Sequence, residues 1–432
     1  MPSEDNSVTS IPVKSTVQGI VENFLNFKDP PLYYYDKLYK VLECRTGRLG
    51  YHIDVCDHCA VFKSLPNSCC HSLCPDCQER LSRNWIKNRI SELLPAPYYQ
   101  LVFPLIDTLS VFAMYNKKNV FDIFFYAVSS AIQKIPKQEN IEIGFIISLI
   151  TNAANMWFDP HCHVCMPGIG IQNGEIKFYD KSLPFTKEIL SEEFRDIFLE
   201  ELEKLYFLPQ KETLTPEEID KLTINWPDEL KHLQDNESAF KKWIEELKKE
   251  NWNIFIGDPT TDSAGDLIRY IGKRAPILNN QIIEADNEQV IFRDKRRDEV
   301  KLSIEEFVRR LVSHSMPSGY HRIRNYGFLS NSTKEIKISY ILGQLDYPVK
   351  EKETESNNKQ QCKKCGEGHM RTVGVILGGE TVKTCKDNIR QLRIIPLWVD
   401  LLEIIEKSKT IPLELRFSIP AWLLRLIESV DQ

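Results

Sequence analysis

The sequence predicts an α+β protein: an antiparallel sheet with helices, accompanied by a small zinc-binding domain near the N-terminus and a charged helical insertion. Three observations lead there. Twelve cysteines include Cys-x-x-Cys pairs within one turn-rich run, strand-like and helix-like stretches alternate irregularly from Tyr98 onward, and acidic residues crowd into one segment.

At 432 residues, 42% hydrophobic and 27% charged, the chain has the size and composition of about two to four globular domains. Its longest uncharged stretches, Leu93 to Ile106 and Ile143 to Phe158, fall short of the ~18 residues a membrane span needs, so no membrane partner is expected. The polar start "MPSEDNSVTS" has no basic region followed by an apolar core, which points to a reducing, cytoplasmic location, where paired cysteines favour metal over disulfides. A formal net charge of −6 argues against nucleic acid only at first sight. Between Lys187 and Asn251 stand 18 acidic against 10 basic residues, a balance of −8 that leaves +2 on the remainder.

Taken in order, residues 1–30 read as a loosely ordered lead-in and Tyr33 to Leu42 as an amphipathic helix. Cys44 to Cys77 is turn-rich, and "QERLSRNWIKNRISELLP" reads as a basic helix stopped by Pro95. "YYQLVFPL" and "IGFIISLIT" read as strands flanking a helix over 116–135, followed by a strand through "DPHCHVCMPG" and another through "GEIKFYD". The 187–251 segment is helical, broken by prolines, and reads as an insertion with solvated faces. "WNIFIGDP" returns to a strand and "SAGDLIRYIGKRAP" to a short helix, while Ser303 and Glu306 have capping-box spacing at the start of another. A polar linker over 351–361 precedes "CKKCGEGHM". The expected segments are therefore 1–95 (helix and zinc-binding domain), 96–186 and 252–350 (one sheet domain in two parts), 187–251 (the insertion) and 351–432.

Two short turns carry Cys56-x-x-Cys59 and Cys74-x-x-Cys77, a spacing that lets four thiolates converge tetrahedrally on Zn²⁺. Cys44, His52, Cys69, Cys70 and His71 are left in the same run, enough for a second zinc if the loop folds back, with Cys44, His52 and Cys69 its candidate ligands. Cys362 and Cys365 form a further knuckle whose nearest partners are His369 and Cys385. In "DPHCHVCMPG" strand alternation points His161, His163 and Cys165 to one face and Cys162 and Val164 to the other. That face suits a metal ion, although two alternating histidines also suit plain packing in a half-buried strand.

The motifs "CRTGRLGYH", "CDHC", "NSCCHSLCPDCQ", "LLPAPYYQLVF", "DPHCHVCMPG", "RYIGKRAPI" and "EEFVRRLVSHSMPSGYHRIRNYGFLSN", in this order over residues 35–331, resemble bacterial insertion-sequence transposases with an N-terminal zinc-binding domain and an HUH-type rolling-circle nuclease. HUH denotes His-hydrophobic-His. The resemblance implies an HUH-endonuclease-like antiparallel sheet and metal-dependent cleavage and strand transfer of single-stranded DNA through a 5′-phosphotyrosine. His161 and His163 would hold a catalytic Mg²⁺ or Mn²⁺ beside structural Zn²⁺, and Tyr270 would be the nucleophile. Many relatives have a second tyrosine four residues on, where this chain has Arg274, so a single-tyrosine variant is implied. Asp159 and Leu73 also stand where relatives often carry histidine.

Helical spacing places Lys273 and Arg274 beside Tyr270, and Arg309, Arg310, Arg322 and Arg324 are further candidate DNA contacts, with Tyr320 and Tyr326 as stacking surfaces. Expected partners are single-stranded DNA at transposon ends and target, with a homodimer as an open alternative; a bacterial protein of this kind would associate with the nucleoid when DNA-bound. A replication initiator or relaxase of the same chemistry, and a zinc-stapled DNA-binding protein without catalysis, are the competing readings.

Overall fold

The computed structural model describes residues 15–207, 223–261, 263–348, 361–377 and 382–384. The chain forms two units, residues 1–41 with 70–351 and residues 42–69 with 352–432. The cysteine-rich run is divided between them, its first part falling with the C-terminal segment.

Strands β1 (Gly50–Cys56) and β2 (Phe62–Pro66) belong to the smaller unit; in the larger unit the central strands are β3 (Tyr98–Pro104), β4 (Ile141–Asn152) and β5 (Phe158–Pro167), with β6 (Ile169–Gln172), β7 (Glu175–Phe178) and β8 (Phe255–Ile256) outside them in the order β7-β6-β4-β5-β3-β8. A further strand, Ile323–Gly327, pairs antiparallel with β4. All pairings are antiparallel, in an α+β arrangement as the sequence predicts. The register sets His163 between Val102 and Ser148, and His161 between Pro104 and Ile150. Residues directly opposite share a face, so the two histidines join Ser148 and Ile150 on one side.

The other side is dry. Leu101, Phe103, Phe145, Ile147, Cys162 and Val164 are fully buried there against the helices Asp107–Tyr115, Lys117–Gln138 and Lys187–Phe207. The last of these opens the expected insertion, yet it is no solvated flap. Leu190, Phe194, Phe198 and Leu202 recur every fourth residue, a spacing that makes one apolar stripe, and that stripe lies in the main core. Phe194 meets Phe103 edge-on at 5.2 Å between ring centroids, and Phe198 meets Trp252 at 5.5 Å. The acidic residues occupy the remaining helix surface, which explains why charge counting alone suggested an appendage.

On the histidine side lies a short helix, Ala264–Ile271, held by two strand residues. Ser148 Oγ donates to the Ile271 carbonyl at 2.7 Å and Asn152 Nδ2 to that of Pro276 at 2.9 Å. Gly272 ends this helix against the helix Pro75–Ser91. A Cβ there would come within 2.6 Å of Ile86, so only glycine permits the approach. A three-stranded sheet (282–303) follows and leads into the helix Ile304–Ser313, whose N-cap Ser303 accepts from the Glu306 backbone as the capping box requires.

The smaller unit has its own four-stranded antiparallel sheet, in the order Val382–Thr384, Met370–Leu377, Gly50–Cys56, Phe62–Pro66. Val55 and Val373 are its buried apolar centre, with Ile53 and Phe62 packed on them. Cys385 and most of the C-terminal segment lie outside the described residues. Among the described residues no helix is long and apolar enough to cross a membrane.

Candidate active site and metal-ligating residues

The two candidate histidines each have one ring nitrogen engaged by the protein. His161 Nδ1 lies 2.7 Å from the carbonyl oxygen of Asp159, which can only accept, so the ring proton is on Nδ1 and the Nε2 lone pair is free. His163 Nδ1 accepts from Gln100 Nε2 at 3.0 Å, while its own Nε2 is buried with no hydrogen-bond partner. A buried polar atom without a partner is costly and calls for an explanation. With the carboxamide rotated so that its oxygen met the ring, Nδ1–H would donate to it and Nε2 would offer a lone pair. Burial, joined by the neighbouring His161, holds His163 down to about 3, and burial also lowers His161. Both rings are therefore neutral at pH 7, the form that binds metal.

Tyr270 completes the cluster. Its ring stands edge-on to His163 at 4.9 Å between centroids, and the two imidazoles are 5.0 Å apart. The tyrosine is 37% exposed, and burial of the rest raises its phenol above the usual range. Lys273 Nζ lies 5.9 Å from the ring centroid. The reason is not the expected helical phase, since the helix ends at Ile271 and Lys273 and Arg274 lie beyond it. Arg274 is half-buried, its carbonyl accepting from Arg322.

Lys295, unanticipated from the sequence, arrives from the hairpin between Gln289–Arg293 and Glu299–Ser303 and donates to the Asn152 carbonyl at 3.2 Å. Burial and the nearby Lys273 lower its pKa, while Asp159 opposes them. Gln100, Ser148 and Asn152 were also missed. Each stands on a readable strand, but only the strand order reveals that these positions adjoin the histidines.

The cysteines regroup. Cys56 and Cys59 were expected with Cys74 and Cys77; instead their sulfurs cluster with those of Cys362 and Cys365, all four within 4.8 Å of one another. Cys74 and Cys77 are not part of this cluster. His52 turns its Nδ1 to Asn67 Oδ1 at 3.1 Å.

Residues 144–336 match a family described as "Putative transposase", and residues 16–105 match a "Transposase zinc-binding domain" of the IS91 type. A "Putative transposase y4qJ" of Sinorhizobium fredii is 30% identical over 372 residues, covering 80% of this chain and 90% of its own length. The chain belongs to the IS91-family transposases. The "Transposase for insertion sequence element IS801" of Pseudomonas savastanoi pv. phaseolicola is 25% identical over 303 residues, covering 68% of this chain and 69% of its own. No solved structure matches. Membership makes the protein a DNA-processing enzyme with a structural zinc-binding domain.

Several of this transposase's candidate DNA-contacting arginines are engaged within the protein. On the strand Ile323–Gly327, Arg324 and Tyr326 pair with Ile147 and Phe145, which assigns them to the core side of the sheet. Arg324 bonds Asp122 at 2.7 Å and lies 4.1 Å over Phe125, Tyr326 stacks on Phe145 at 5.3 Å, and Tyr320 donates to Asp122 at 3.0 Å. Arg310 is buried between Glu306, the Asn155 carbonyl and the Trp157 ring. Arg309 also pairs with Glu306 but is exposed, as is Lys273.

Proposed function

We propose that this transposase cleaves and rejoins single-stranded DNA, with Tyr270 as the nucleophile and His161 and His163 as ligands of a divalent cation, Mg²⁺ or Mn²⁺. The observation that carries the reading is the contact of the Tyr270 ring with His163, whose buried Nε2 has no protein partner. Two nitrogen donors suit Mn²⁺ at least as well as Mg²⁺. When bound, the cation would neutralise charge on the scissile phosphate.

The chain's own groups supply the rest. Tyr270 Oη attacks phosphorus, the P–O3′ bond breaks, the phenolic proton passes to solvent and the leaving 3′-oxygen takes up a proton. The strand is left with a 5′-phosphotyrosine and a free 3′-hydroxyl. Attack of a 3′-hydroxyl on the phosphotyrosine reverses the balance and reseals DNA without an external energy source. The raised phenol pKa keeps Tyr270 protonated at rest, and Lys273 and Lys295 are the cations available to attract the phosphate and favour phenolate. Arg274 in the fourth position beyond Tyr270 supports one tyrosine acting alone.

The test is incubation with single-stranded element ends and Mn²⁺ followed by denaturing electrophoresis. Wild type should give a covalent protein–DNA adduct mapping to the tryptic peptide Tyr270 to Lys273, and Tyr270→Phe should bind DNA but give none. Adduct on another tyrosine would remove Tyr270 from the mechanism. DNA binding with no adduct from wild type would favour the non-catalytic reading.

A further inference from the structure

We infer that the zinc-binding unit is a split one: a single Zn²⁺ held by Cys56 and Cys59 from the N-terminal run and by Cys362 and Cys365 from the far end of the chain. The family match over residues 16–105 contains only the first pair. Three independent features of the unit point to a built metal site.

The first is the sulfur geometry. Cys56 Sγ lies 3.8 Å from Cys365 Sγ, and Cys59 Sγ 3.7 Å from Cys362 Sγ. Those separations match the edges of a tetrahedron whose centre lies about 2.3 Å from each corner, the Zn–S distance. They are far too long for disulfides, which have an S–S bond of about 2.0 Å.

The second is the backbone around each pair. Amide N–H groups of His58 and Cys59 donate to Cys56 Sγ, both at 3.4 Å, and that of Gly368 donates to Cys365 Sγ at 3.3 Å. Donors aimed at sulfur stabilise thiolate, the form a metal binds. Gly368 is fixed by the same closeness, since a Cβ on it would come within 2.5 Å of both Cys56 Sγ and His58 Cβ. A side chain at this position would push the knuckles apart.

The third is the pairing that delivers the second knuckle. Gly50–Cys56 pairs with Met370–Leu377 along its whole length, ending with Cys56 opposite Met370. Asp57 closes the join: it accepts from the His369 backbone at 2.7 Å and from Arg371 Nε at 2.8 Å, while its own N–H donates to the His369 carbonyl at 3.0 Å. Among the described residues the sheet's buried apolar centre is Val55 and Val373 with Ile53 and Phe62 packed on them, and a metal bound by both knuckles would tie the two central strands together at the end where Cys56 lies. Four soft thiolates in a closed set suit Zn²⁺ in a structural role. His369, the nearer sequence candidate, uses its backbone here and is not needed as a ligand.

The test uses the full chain. In zinc-loaded wild type, alkylation followed by peptide mapping should find Cys56, Cys59, Cys362 and Cys365 all protected, and titration with a chelator should expose all four at one midpoint. Elemental analysis should show that Cys56→Ser/Cys59→Ser and Cys362→Ser/Cys365→Ser each lose one zinc per chain, and that the quadruple variant loses no more than either pair. Rapid alkylation of Cys362 and Cys365 while Cys56 and Cys59 stay protected would overturn the proposal. A loss of two zinc ions in the quadruple variant would do the same. The wild-type footprint does not depend on any variant folding.

Discussion

The two faces of the β4–β5 strand pair use the same residue types for opposite ends. On the helical face Cys162 and Val164 are sealed among phenylalanines, and nearby His314 is buried with both ring nitrogens bonded, Nδ1 accepting from Thr151 Oγ1 at 3.1 Å and Nε2 donating to the Met156 carbonyl at 3.0 Å. On the opposite face His163 is nearly as buried, yet its Nε2 has no partner and an ionisable tyrosine leans on it. Burial therefore does not separate a structural histidine from a candidate ligand. What separates them is whether the second nitrogen has been answered by the protein.

That contrast is broken most forcefully by one substitution on each face. His163→Ala should lower metal-dependent cleavage per folded molecule by about 10³-fold, roughly 4 kcal/mol in the transition state, beside the stability cost of truncating a buried ring. Phe198→Ala, on the helix Lys187–Phe207, should cost about 3–5 kcal/mol of stability by leaving a cavity beside Phe124, Phe194 and Trp252, while the folded fraction keeps its activity. Denaturant titration and single-turnover cleavage on both variants read the two effects. A solvated insertion would tolerate the second change, and a merely packed histidine would not show the first.

How much of this was legible follows from the range of the interactions. His161 and His163 are two residues apart on one strand, so alternation alone put them on one face; Tyr270 came from family resemblance, because nothing in an eight-residue amphipathic helix marks one tyrosine as reactive. The regrouping of cysteines was hidden because Cys-x-x-Cys spacing fixes each knuckle but is silent on which knuckles meet, and a nearby pair looked more natural than one some 300 residues away. Arg324 was placed by charge alone. Its charge suggested DNA, but a strand's period of two gives the residue to the core side, where Asp122 and Phe125 receive it.

Gln100 sharpens the comparison on the ligand face. If its carboxamide orients His163, Gln100→Leu keeps the volume but removes the polar partner, and Mn²⁺ affinity should fall about 10- to 100-fold with stability little changed. Titration of cleavage against Mn²⁺ should then show a shifted midpoint and a recovered plateau. A lowered plateau at saturating metal would instead place Gln100 in the chemistry itself.

The smallest effect belongs to the answered histidine. His314 is held down to about 3, first by its burial and then by the charges of Lys117, Arg322 and Lys295, opposed by the Met156 carbonyl. In the unfolded chain it titrates near ~6.5. Between those values the unfolded state binds a proton that the folded state refuses, so the unfolded state gains with acid: the contribution is complete above ~6.5 and is lost as pH falls toward 3. The slope for one such proton is about 1.4 kcal/mol per pH unit. Urea unfolding of wild type and His314→Gln at pH 7 and at pH 5.5 isolates it, since other titrating groups are common to both. The variant should be less stable than wild type at pH 7, because its carboxamide replaces an imidazole fitted between Thr151 and Met156, and the gap should narrow on acidification. A gap independent of pH would mean that His314 accepts its proton inside the fold, and the distinction drawn between the two faces would lose its electrostatic basis.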